Sequence, residues 1–167
     1  TLAEVENNNV VGVIAQKLGY GSAHMTSNSP DHRGIDVGMI YNKAKLKLVA
    51  SVEIPVVGEG LVKPTRNILR AEFKLKDARG NIIPAQSLFV YANHWPSQAA
   101  PANTRVMAAN ILKANIESVR ASVRGEAYFV AMGDFNTIPA DAPHPFNDVI
   151  LNKTDWEGAL VDSEVYA

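Results

Sequence analysis

The sequence predicts a mixed α/β fold, a sheet of parallel and antiparallel strands covered by helices on one face. Three observations carry that expectation. Five short runs, residues 35–41, 46–54, 66–75, 88–94 and 128–134, are largely apolar and β-prone. One long stretch, residues 102–124, switches to helical periodicity before the last of them. The connections between several of the earlier runs are short enough for hairpins, whereas the long helix makes a crossover.

Taken in order, residues 4–18 carry Val5, Val10, Val11, Val13, Ile14 and Leu18 among polar residues, which fits a helix stopped by Gly19. Residues 21–34 are rich in Ser, Asn, Pro, Asp and Gly and read as loop. Strands follow at 35–41, 46–54 and 66–75, and Asp77-Ala78-Arg79-Gly80-Asn81 reads as a turn into the strand that ends at His94. Pro96 then forbids ladder pairing on its side. In the long helix Met107, Ile111, Leu112, Ile116, Val119 and Val123 form one stripe behind Asn103 or Thr104 as cap, and Gly125 ends it. The uncharged run Tyr128-Phe129-Val130-Ala131-Met132 reads as a buried strand. Residues 139–145 read as loop and 146–151 as a short helix, with a tail of little pattern beyond.

With 167 residues, 47% hydrophobic and 20% charged, the chain is expected to form one domain, or a large piece of one, across residues 1–167. No run approaches the roughly 18 apolar residues of a membrane span, and no obligate protein partner is evident. Sixteen basic against seventeen acidic residues give a net charge of -1, so polyanion binding requires a local patch. The absence of cysteine excludes disulfides, thiolate metal sites and cysteine nucleophiles. Thr1 is preceded by no methionine and followed by no basic and apolar leader, which reads as a processed or cut product. The triplet at Asn152 fits the glycosylation pattern.

Two strand ends carry the polar side chains. Asp134 and Asn136 follow Gly133 where one strand leaves the core, and alternate strand residues point the same way. The other strand runs out through Asn93-His94-Trp95-Pro96-Ser97. If the two strands are neighbours, one carboxylate, one imidazole and two amides converge on a single rim, a suitable place for a metal-bound or phosphate-bearing ligand. Each residue alone also has an ordinary reading. Glu4 suits a helix start, Asp134 and Asn136 suit turn caps, and Asp36 in an apolar strand needs a partner such as His94, Arg33 or Arg66. Arg105, at the start of the long helix, is placed to reach phosphate or to pair with a surface carboxylate.

With Ala3-Glu4-Val5-Glu6-Asn7, Arg33-Gly34-Ile35-Asp36-Val37, Asn93-His94-Trp95-Pro96-Ser97 and Gly133-Asp134-Phe135-Asn136 in this order, the chain resembles the endonuclease/exonuclease/phosphatase superfamily over residues 4–145. The nearest likeness is to its bacterial branch of secreted or surface nucleases. The resemblance implies a two-sheet α/β sandwich flanked by helices, and hydrolysis of phosphoesters with a divalent cation, usually Mg²⁺, with Mn²⁺ as the other choice. It places the metal-binding glutamate at Glu4. Asp134 and Asn136 become the pair that orients the nucleophilic water and holds the scissile phosphate. His94 becomes a phosphate contact and Asp36 a carboxylate hydrogen-bonded to it. The family's early asparagine strand and its carboxyl-terminal Asp-His pair have no counterpart, which reads as a fold incomplete at both ends.

These residue types suit phosphoester chemistry. A hard cation prefers oxygen ligands and keeps several waters, so few protein carboxylates suffice, and four irregularly spaced histidines argue against zinc. Asp134 is suited to accept a proton from water, and Asn93 and Asn136 to donate to phosphate without adding negative charge. Ser97 and Arg105 complete the expected substrate-binding set, and His94, held as a cation by Asp36, would donate more strongly than a neutral group. The expected function is a metal-dependent phosphodiesterase, a nuclease whose substrates include nucleic acid, in a secreted or extracytoplasmic setting implied by the resemblance. The alternatives are a phosphomonoesterase or phospholipase-like member of the same superfamily and a non-catalytic binding module retaining the fold.

Overall fold

The computed structural model describes residues 1–23, 33–59 and 65–151. Its elements are β1 (Leu2–Val5), α1 (Asn8–Lys17), β2 (Gly21–Ala23), β3 (Asp36–Tyr41), β4 (Leu46–Ile54), β5 (Ile68–Lys76), β6 (Ile82–His94), α2 (Ala102–Ser122) and β7 (Glu126–Asp134), followed by a π-helical turn at Pro145–Ile150. They form two sheets, ordered β1-β3-β2 and β4-β5-β6-β7. The first is antiparallel throughout; in the second only β6 and β7 are parallel. The mixed α/β sandwich is therefore present. Asn152 and the tail lie outside the described residues, as do 24–32 of the segment expected to be loop.

Alternation along the strands divides the core. Leu69, Ala71 and Phe73 of β5 and Ala92 of β6 pack with Val37 and Met39 of β3, Val5 and Val11, which joins the two sheets. The other face of β6, through Phe89 and Tyr91, packs on Ala108, Ala109, Leu112 and Val119 of α2. Arg105 is the buried charge on that helix, 1% exposed. The turn after β5 forms as expected, because the Asp77 carboxylate accepts from the backbone N–H groups of Arg79 and Asn81, both at 2.8 Å.

Four local expectations are corrected. Residues 2–5 form a strand, not the start of a helix: Val5 pairs with Asp36, and Asn7 caps the helix by accepting from the N–H groups of Asn9 and Val10. Gly21–Ala23 is a strand, paired with β3, and not loop. Neither Asn103 nor Thr104 caps α2; Pro101 occupies the cap, and the Thr104 hydroxyl donates back to its carbonyl at 2.7 Å. The run at 128–132 is not buried. β7 is the edge of its sheet among the described residues, and Tyr128, Val130 and Met132 are 46%, 37% and 38% exposed. An uncharged run looks the same in sequence whether one or both faces are covered, which is why the pattern misleads here.

Candidate active site

The βαβ unit formed by β6, α2 and β7 brings the two polar strand ends together. Parallel pairing sets Asn93 opposite Gly133 and His94 opposite Asp134. His94 Nε2 lies 3.9 Å from Asp134 Oδ2, with the imidazole almost fully covered and the carboxylate 54% exposed. Gly133 makes this approach possible. Its φ of 133° is open to glycine, and a Cβ there would collide with the Asn93 carbonyl oxygen. Gly133→Ala is accordingly expected to lower stability by more than about 2 kcal/mol in urea denaturation.

Beyond β7 the chain folds into a tight turn. The Asn136 N–H donates to Asp134 Oδ1 at 2.9 Å, its Nδ2 donates to the Trp95 carbonyl at 3.0 Å, and its own carbonyl accepts from Gln98 Nε2. Asn136 is held this way at a left-handed φ of 50°. Glu4, at φ 56°, is the other non-glycine residue with a positive φ among the described residues. It lies within a bulge, since Leu2 pairs with Gly38 but Val5 pairs with Asp36, leaving one extra residue on β1. Strained backbone of this kind concentrates at functional positions. The two instances here fall on Glu4 and Asn136.

Glu4 is 62% exposed, 4.0 Å from Arg33 Nη1. Its strand β1 packs against β6 and β7, the strands that end in His94 and Asp134. His94 is pushed below the ordinary histidine range, first by burial and then by Arg66, against the opposing pull of Asp134 and Glu4. The ring accordingly favours its neutral form, so the stronger donation that a cationic imidazole would give is not favoured.

The expected Asp36–His94 hydrogen bond does not form. His94 Nδ1 is buried without a hydrogen-bond partner. Asp36 sits in β3, buried and in register with Val5, so its backbone is committed to the sheet. Arg66 instead braces the strand end that carries His94: its Nε donates to the His94 carbonyl at 3.2 Å and its Nη2 to the Trp95 carbonyl at 2.8 Å.

Two of the expected substrate contacts, Asn93 and Arg105, are otherwise occupied. Asn93 is 1% exposed. Its Nδ2 donates to the Tyr91 carbonyl and more weakly to that of Met132, while its Oδ1 accepts from Trp95 Nε1. An amide so engaged has nothing left to offer a phosphate. Arg105 is neither a phosphate ligand nor a partner for a surface carboxylate. Its side chain and that of Asp141 are buried together, Nη2 to Oδ1 at 2.6 Å and Nε to Oδ2 at 3.1 Å. Ser97 is exposed, with its carbonyl accepting from Arg105 Nη1 at 3.0 Å. Arg66, Gln98 and Asp141 are the contributors that sequence reading missed. Their residue types are common in loops and at strand starts, and each has a decisive partner tens of residues away, His94 for Arg66, Asn136 for Gln98 and Arg105 for Asp141. Beneath the site, Trp95, Phe135 and Phe146 pack as an aromatic cluster with centroids 4.8–5.6 Å apart, fixing the two loops from below.

Among the described residues no group of three or more His, Asp and Glu side chains is arranged to hold a metal ion. The donors at the rim, Glu4 and Asp134, are exposed carboxylates. They suit a hard divalent cation that retains most of its water, and not a softer metal needing a closed set of protein ligands.

A two-sheet α/β sandwich thus gathers polar residues at the carboxyl ends of its two parallel strands. The chain belongs to the endonuclease/exonuclease/phosphatase family, whose model matches residues 1–153. No curated protein matches it. Among solved structures it is similar to ANGEL2, a 2′,3′-cyclic phosphatase, at 18% identity and TM-score 0.67, covering 87% of this chain and 41% of that one. It is also similar to the human Nocturnin catalytic domain, at 17% identity and TM-score 0.60 over 87% and 53% of the two chains. A third likeness is to TDP2 of D. rerio, humanized by mutation, at 18% identity and TM-score 0.60 over 85% and 50%. The chain thus spans about half the length or less of these proteins, and at such identities the likeness is one of fold. No described helix is long and apolar enough to cross a membrane.

Proposed function

We propose that this chain carries the phosphate-facing part of a divalent-metal-dependent phosphodiesterase, a nuclease, within a single domain spanning residues 1–167. The carrying observation is that His94 and Asp134 meet at the ends of β6 and β7, with Asn136 fixed beside Asp134 and the β1 strand of Glu4 packed against both strands. Glu4 is the residue to hold Mg²⁺ or Mn²⁺, with Asp134 beside it. Such a cation neutralises charge building on the non-bridging oxygens. Asp134, with Oδ2 free of the turn bond made by Oδ1, orients and deprotonates the attacking water. A neutral imidazole at His94 still donates an N–H to a phosphoryl oxygen, and the second Nδ2 hydrogen of Asn136 supplies another. Ser97, exposed at the rim, is left to contact more distant parts of the substrate.

The order of the four motifs supports the bacterial secreted branch of the family, and with it an extracytoplasmic setting. One observation favours a second reading. A net charge of -1 gives no overall attraction to a polyanion, which suits a phosphomonoesterase or phospholipase-like enzyme acting on a smaller phosphate ester. The full-length protein should nick plasmid DNA in Mg²⁺ and stop in EDTA. Turnover confined to sugar phosphates or lipid head groups would favour the second reading, and binding of all three without turnover would indicate a non-catalytic module.

A further inference from the structure

We propose that Arg105 is a positioning residue: from the core face of α2 it ties the loop after β6 to the loop after β7 and, through Gln98, holds Asn136 in its left-handed conformation. This rests on reading Asp134 and Asn136 as the phosphoester site.

A guanidinium offers five donors in a rigid plane and accepts nothing. All the Arg105 contacts fall on these two loops. Nε and Nη2 go to the Asp141 carboxylate, Nη1 to the carbonyls of Ser97 and Ala100 at 3.0 and 3.3 Å, and Nη2 also to Gln98 Oε1 at 3.3 Å. Asp141 in turn accepts from the Thr137 hydroxyl at 2.9 Å and from the Ile138 N–H at 3.2 Å, which closes the loop that follows Asn136.

The link to the site runs through one carboxamide. Because Arg105 only donates, Gln98 must present its oxygen to it, which turns Nε2 toward the Asn136 carbonyl. With its N–H on Asp134 and its Nδ2 on the Trp95 carbonyl, Asn136 is then fixed at three points. A buried ion pair is weak evidence of added stability, since apolar residues of similar volume often serve as well. A planar fork that orders two loops and orients a third side chain is what apolar packing cannot reproduce. Lysine cannot either, having a single charged nitrogen.

The test uses Gln98→Ala and Arg105→Lys in the full-length protein, with three readouts: thermal midpoint, amide hydrogen exchange at Asn136, and kcat against KM on a phosphodiester. Gln98→Ala leaves the Arg105–Asp141 pair intact. It is expected to keep the midpoint within a few degrees, speed Asn136 exchange about tenfold and lower kcat about tenfold at unchanged KM. Arg105→Lys is expected to lower kcat about a hundredfold and to speed exchange in both loops. Wild-type exchange at Asn136 together with wild-type kcat in Gln98→Ala would overturn the proposal, and this variant decides the matter if Arg105→Lys fails to fold. Undiminished hydrolysis by Asp134→Ala would overturn the site reading instead, with Asn136 exchange still deciding the role of Arg105.

Discussion

Replacing Asp134 with alanine in the full-length protein is expected to lower kcat for phosphodiester hydrolysis by about 10³-fold while the fold survives. The side chain is half exposed and its one short hydrogen bond is to the Asn136 N–H, so few stabilising contacts are lost. What disappears is the carboxylate facing His94 at the mouth of the site. Asp134→Asn separates two contributions. It preserves an acceptor for the Asn136 turn but removes the negative charge, so retained folding with a comparable loss of kcat would assign the effect to charge and basicity. Steady-state kinetics with circular dichroism on both variants checks this, and hydrolysis at the wild-type rate by either would remove Asp134 from the chemistry.

The largest effect on stability is expected at Asp141. Breaking a buried ion pair from one side leaves an uncompensated charge, here Arg105 with its side chain 2% exposed, so Asp141→Ala should cost about 3–5 kcal/mol in urea denaturation at pH 7. The pH dependence follows from the same contacts. Hydrogen bonding by Arg105 first, then by Thr137 and the Ile138 N–H, holds the Asp141 carboxyl far below the usual carboxylate range, against the opposing effect of burial. The folded pKa is depressed, so its stabilisation is fully present above the unfolded value of about 3.9 and is lost as pH falls from there toward the folded one. Wild type should lose stability on acidification, and Asp141→Asn, weaker at pH 7, should converge on it below about pH 4. A stability gap that stays constant down to pH 2 would show that the charge of Asp141 contributes nothing.

Much of the fold was legible because it is local. The strand at residues 46–54 coincides with β4, and the Asp77 turn forms between β5 and β6, since alternation, β-propensity and Asx chemistry act over a few residues. β1 was not legible. It has four residues, carries a bulge and ends on Val5, which fits a helical stripe as well as a strand until Asp36 pairs with it. The candidate site divides along the same line. That His94 and Asp134 end strands follows from apolar runs terminating in polar residues, and Gly133 was visible as a glycine closing a strand, but that the two strands are neighbours was only a condition, met by the parallel pairing of β6 and β7. The inward commitments of Asn93 and Arg105 were not visible. A polar residue beside a strand end looks the same in sequence whether it faces solvent or is consumed by carbonyls, as Asn93 is by those of Tyr91 and Met132. Arg105 depends on Asp141, 36 positions away, and no local pattern announces a pairing at that distance.

The central claim is that Glu4, from one sheet, and His94 and Asp134, from the other, surround one cation and one phosphoryl group. Mn²⁺ titration of isotopically labelled full-length protein, followed by paramagnetic broadening, tests it most directly. At substoichiometric Mn²⁺ the signals of Glu4, His94, Asp134 and Asn136 should broaden together, and Glu4→Gln should abolish the effect. Broadening centred elsewhere, or confined to one sheet and unchanged in Glu4→Gln, would contradict it.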